Sequence, residues 1–71
     1  MNQDVSIKYV CQMFVKKNSE DQYDRQVFKS FLWKKKSQLV QQNWEGLIGL
    51  LYTFDNERWK DICLQIKLNL N

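Results

Sequence analysis

NWEGLIGLLYTFDNERWKDICLQIKLNL, residues 43–70, is the stretch that decides the fold. Asn43 can cap a helix in which Trp44, Leu47, Ile48, Leu51 and Phe54 recur at the three-four spacing of one helical face. Glu45 falls in the first turn, where a negative charge suits the helix dipole. Asp55 then caps a last helix that puts Trp59, Ile62, Cys63, Ile66 and Leu70 on one stripe, with Leu64 and Leu68 on a narrower second one. A rival reading exists. Leu64, Ile66, Leu68 and Leu70 alternate with Gln65, Lys67 and Asn69, which is also a strand pattern, and Leu50 to Phe54 could pair with it as a hairpin. The caps and the longer stripes agree with each other, so helices are preferred over an α+β arrangement.

Upstream, Ser19 with Gln22 three residues later resembles a capping box, and Glu20 and Asp21 fill the first turn. From there Tyr23, Val27, Phe28, Phe31, Leu32 and Leu39 fit one broad face of a helix reaching about Gln41. The segment from Asp4 to Lys17 carries Val5, Ile7, Tyr9, Val10, Met13, Phe14 and Val15. These would nearly encircle a helix, the mark of a central and well-covered one. The chain has no proline and only two glycines, whereas a β-rich domain needs turns that lean on both. The expected architecture is all-α, a compact bundle of four short helices over about 4–17, 20–41, 43–53 and 55–69, with residues 1–71 forming one domain.

At this length folding buries only about 60% of the surface of the unfolded chain, so the core is marginal. Hydrophobic residues make up 44% and aromatic residues 14%, too much apolar mass for disorder and a heavy load of rings for one small core. Cys11 and Cys63 stand far apart, and with no histidine the Cys/His set of a zinc site is missing. Both cysteines are expected to be buried free thiols in a reducing compartment. Residues 1–4 lack the basic start and apolar run of a secretory leader, and Leu47 to Tyr52 is too short to span a bilayer. A cytoplasmic location without membrane contact is the expectation.

The residues argue against an enzyme. The commonest general base is absent, and no nucleophile elbow, phosphate loop or dinucleotide fingerprint occurs. Glu57 and Asp61 stand four apart on one expected helix, but a solvated face near a helix start explains them. Neither a cofactor nor a small-molecule substrate is implied. A helix-turn-helix made from the last two helices would begin its reading helix Glu57-Arg58-Trp59-Lys60-Asp61, with acids facing phosphates, which weakens it.

Charge is uneven. Residues 1–36 hold eight basic and four acidic residues; residues 37–71 hold three basic and four acidic. The excess gathers at Lys16-Lys17, where lysines suit a helix end, and at Lys34-Lys35-Lys36. At 100° per residue Trp33 falls opposite the Val27–Phe31 face, with Lys29, Lys36 and Val40 as neighbours on the outside. A tryptophan among lysine stems and a valine is the expected partner-binding patch: Lys29, Trp33, Lys34, Lys35, Lys36 and Val40. A helix break near Lys34–Lys36 would reset this register and bury Trp33. Gly46 and Gly49 share the side of their helix away from Trp44 and Leu51, where they either admit a close neighbour or soften a short helix. The expected function is a protein-interaction module, a small adaptor, inhibitor or assembly subunit, binding another protein or self-associating as a homo-oligomer. The alternative is a small nucleic-acid-binding regulator using the Lys29–Lys36 surface.

Overall fold

The computed structural model describes residues 6–70, so the expected start of the first helix, with Asp4 and Val5, lies outside the described residues. Four α-helices follow one another: α1 Ile7–Lys17, α2 Arg25–Lys35, α3 Gln41–Thr53 and α4 Asn56–Leu70. There is no strand among the described residues, and the alternation at Leu64–Leu70 is carried on a helix. No helix among them is long and apolar enough to cross a membrane.

Helix α1 starts where the Ser6 hydroxyl accepts the Tyr9 N–H at 3.1 Å. It stops where Asn18 Nδ2 donates to the Phe14 carbonyl at 3.0 Å, with Lys16 and Lys17 in the last turn. It is the central helix, packing most extensively on α4 and also on α3. Its Phe14 ring is the hub of the core, with the Phe28, Phe31, Tyr23 and Trp59 centroids 5.0, 5.5, 6.1 and 6.5 Å away. Phe28 and Trp59 close the cluster at 4.4 Å. Val10, Cys11, Val15, Leu32, Leu47, Leu51 and Cys63 fill the remainder.

The single helix expected over 20–41 is corrected at both ends. The Ser19–Gln22 box closes one 3₁₀ turn, Glu20–Gln22, and goes no further. Tyr23 leaves that turn to bury its ring and donate its hydroxyl to the Val15 carbonyl at 3.1 Å. Asp24 is then extended, and its carboxylate accepts the Gln26 N–H, making it the true cap of α2. At the other end α2 gives way to a 3₁₀ turn at Lys36–Gln38 and extended residues at Leu39 and Val40. Helical stability in a protein comes mainly from a packed apolar face. Lys34 to Gln38 offers none, whereas the reversal brings Leu39 against the core.

The start of α3 also differs from expectation. Val40 holds the cap position and Asn43 is the third helical residue, with its Nδ2 buried and unpaired among the described residues. Gln41 Nε2 donates to Glu45 at 3.0 Å, one turn along. Asp55 does cap α4 as the sequence predicts, accepting the Arg58 N–H at 2.8 Å. Arg25 at the head of α2 donates from Nη1 to the Phe54 carbonyl at 2.8 Å and ties this turn down. Gly46 faces α1, where a Cβ would meet Ile7 Cδ1 at 2.9 Å, so it admits a side chain of the same chain. Gly49 faces open space.

Candidate functional site

Long side chains join α2 to α3, while the two backbones make few close approaches. At one end of this seam Lys29 Nζ lies 3.4 Å from the Tyr52 hydroxyl and 5.8 Å from its ring centroid. At the other end Trp33 and Trp44 meet edge to face, 6.0 Å between centroids. Lys36 Nζ serves both indoles, 4.7 Å from the Trp33 centroid and 5.2 Å from that of Trp44. An ammonium at these distances over an indole is attracted by the ring quadrupole. The seam is therefore antiparallel and aromatic, with lysines laid across its rings.

Trp33 is 66% exposed although Phe31 and Leu32, its neighbours in sequence, are buried. The outward direction predicted from the 100° spacing thus holds: the helix does break within Lys34–Lys36, after Lys35, but the break lies past Trp33 and does not bury it. Trp44, which the spacing puts on one helical face with Leu47 and Leu51, is only half-buried whereas those two are buried, and it supports Trp33 from below. Tyr52 is 62% exposed and extends the aromatic surface to the end of α3.

The six residues singled out in the sequence divide. Lys29, Trp33 and Lys34 line one shallow groove with Gln26 and Ser30 along the outer face of α2. Lys36 sits over the indole pair. Lys35 turns the other way, 5.6 Å from the Phe31 centroid, and lines a separate small cleft with Tyr9, Val10, Met13, Gln38 and Leu39. Val40 is exposed but does not continue the Trp33 helix, since the helical register expected for it ends at Lys35.

Two residues beside these grooves and this seam, Lys17 and Tyr52, were not singled out from the sequence. Lys17, read as a helix-end lysine, lines a second groove with Asn18, Val27, Ser30, Phe31 and Lys34. Only the packing of the α1 end beside α2 brings Lys17 and Lys34 together, and no spacing in the sequence carries that. Tyr52 had a signal, since it stands eight residues from Trp44 on the same side of α3. Both grooves on α2 are lined by lysines and neutral residues, with no acid among them.

Away from these grooves several charged groups serve structure. Arg58 lies 5.1 Å from the Phe54 ring centroid, and Lys67 pairs with Glu20 to fasten α4 to the 3₁₀ turn. Glu57 and Asp61 are exposed. Cys11 and Cys63 are buried free thiols. Burial pushes the Cys11 thiol up to about 11. Burial, with the neighbouring Cys11, pushes Cys63 up to about 12. Among the described residues no group of three His, Cys, Asp or Glu side chains stands together to hold a metal ion. The chain matches no protein family, no characterised protein and no solved structure with which it was compared.

Proposed function

We propose that this chain is a non-enzymatic protein-interaction module, a small adaptor, inhibitor or assembly subunit of the cytoplasm, that engages another protein or a second copy of itself through the α2–α3 seam. Trp33 carries the reading. An indole two-thirds in water, held in place by Trp44 and Lys36, is a rigid apolar anchor, and tryptophan is enriched where binding energy concentrates. Lys29, Lys34 and Lys36 rim it, and Tyr52 continues it. The absence of histidine supports a non-catalytic role.

Capture of partners from the native host after nuclease treatment tests this, comparing the wild type with Trp33→Ala. The variant should keep its helical circular dichroism and lose its partner, or lose self-association in sedimentation. Equal retention by both chains overturns the proposal. A second reading, a nucleic-acid-binding regulator, draws on the lysine-lined grooves of α2. It requires binding that nuclease abolishes and that weakens steeply with salt, whereas an apolar interface would not weaken so.

A further inference from the structure

We infer that the partner of this face is an acidic polypeptide segment with apolar anchors, docked along α2 across the two grooves that flank Ser30; this rests on the interaction-module reading. The grooves share Ser30 and Lys34. Lys29 and Lys34 rim the one beside Trp33, and Lys17 and Lys34 rim the one floored by Val27 and Phe31. The surface thus offers apolar spots at Trp33, Val27 and the edge of Phe31, set among neutral Gln26, Ser30 and Asn18, edged by cations and free of lining acids. Its complement is a segment with apolar side chains in the middle and carboxylates at its margins, since complementary charge steers encounter and fixes register.

Two other occupants fit less well. A second copy docked symmetrically would press Lys29, Lys34 and Lys36 against themselves, and like charges so placed cost several kcal/mol. A nucleic acid would use the lysines but gain little from the Val27–Phe31 floor. Bases stack on free ring faces, yet Lys36 already lies over one face of Trp33 and Lys29 over one face of Tyr52. Both arginines, the better phosphate forks, are engaged at Phe54. Contacts from Lys17, Lys29, Lys34 and Lys36 would give a log–log salt slope of only about −3 for a single strand.

The test is a titration of isotope-labelled full chain with three probes: a helical peptide bearing glutamates on one face and leucine and phenylalanine on the other, the same peptide with glutamines, and a single-stranded oligonucleotide. The glutamate peptide should shift amides along α2 and around Lys17. Lys29→Glu with Lys34→Glu should weaken it about thirtyfold and create affinity for a lysine-faced version. Lys8→Glu with Lys60→Glu changes net charge equally, touches neither groove and should have little effect. Equal binding of the glutamine peptide, or shifts confined to other helices, overturns the acidic partner, while loss of the captured protein by Trp33→Ala would still uphold the interaction module. If no peptide binds, the inference falls. If the oligonucleotide binds the same face more tightly, the inference falls and the nucleic-acid reading replaces the module.

Discussion

Trp33 on α2 and Trp44 on α3 meet edge to face 6.0 Å apart, one exposed and one half-buried, beneath a single lysine. The pair joins the edge of the core to the surface. Truncating Trp33 removes the ring contact and a cation–π contact but opens no cavity, so Trp33→Ala should cost roughly 1–2 kcal/mol. Trp44→Ala should cost somewhat more, though less than a core ring. A double-mutant cycle in urea should return a coupling of about 0.5–1.5 kcal/mol. A coupling of zero would mean that the two rings do not support each other in solution.

Trp59 behaves differently because it is fully buried against Phe14 and Phe28. Trp59→Ala should cost roughly 3–5 kcal/mol, enough to unfold a domain of this size. Its indole N–H is buried without a partner among the described residues, itself a penalty of roughly 1–3 kcal/mol. Trp59→Phe gives up volume but relieves that penalty, so it should remain folded with less than half the loss of the alanine variant. Urea melts of the two variants decide this.

How far the sequence could be read depended on whether local signals agreed with packing. Helix α4 was legible because the Asp55 cap and the Trp59–Cys63 stripe point the same way, whereas the Asn43 cap read for α3 gave way to Val40. The α2 region was not. The Ser19–Gln22 box is a correct local signal, but burying Tyr23 against Val15 outweighs continuing the helix, and Asp24 supplies a second cap at once. Trp33 was legible as outward because its spacing from Phe28 and Leu32 lies within one unbroken helix. Val40 lies beyond a break that no proline or glycine announces, whereas Lys35 is still within α2 and its four-residue spacing from Phe31 already turned it away from the Trp33 face.

The two glycines of α3 should respond in opposite ways. Gly49→Ala meets nothing, and should stabilise by about 1 kcal/mol through helix propensity alone. Gly46→Ala has the same propensity gain, but its methyl must displace the end of Ile7. The net effect there should be near zero or unfavourable. Thermal melts of both variants check the contrast, and equal stabilisation would show that α1 does not press on Gly46.

The buried thiols predict an alkaline weakness. Below about pH 8.5 both are protonated in the folded and the unfolded chain. Above it the unfolded chain releases protons that the folded chain holds up to about 11 at Cys11 and about 12 at Cys63. The unfolded state then binds fewer protons, so stability falls as pH rises, by about 1.4 kcal/mol per pH unit for each thiol once the unfolded thiols are fully ionised. Melting temperatures taken between about pH 8 and pH 10 should decline, and Cys11→Ala or Cys63→Ala should flatten the decline. Both thiols should react slowly with a thiol reagent until the chain is unfolded. A slope unchanged by either substitution would place the alkaline sensitivity elsewhere.

The three consecutive lysines offer the sharpest test of the proposed surface, because the fold sends them to three places. Lys34 edges both grooves of α2, Lys35 turns toward Phe31 and the Tyr9–Met13 cleft, and Lys36 lies over the two indoles. An unstructured basic run would respond to each single substitution alike, since only its total charge would matter. Here Lys34→Gln should weaken partner binding through lost charge complementarity and slow association at low salt. Lys35→Gln should leave binding nearly unchanged, as its ammonium lies off the seam. Lys36→Gln should act through Trp33, loosening the indole that it covers, so its effect should largely disappear in a Trp33→Ala background. Association rates at two salt concentrations, with intrinsic tryptophan fluorescence as a local readout, separate the three roles. Equal losses from all three single variants would show that the face is read only as a patch of charge, and the nucleic-acid reading would then gain over the protein one.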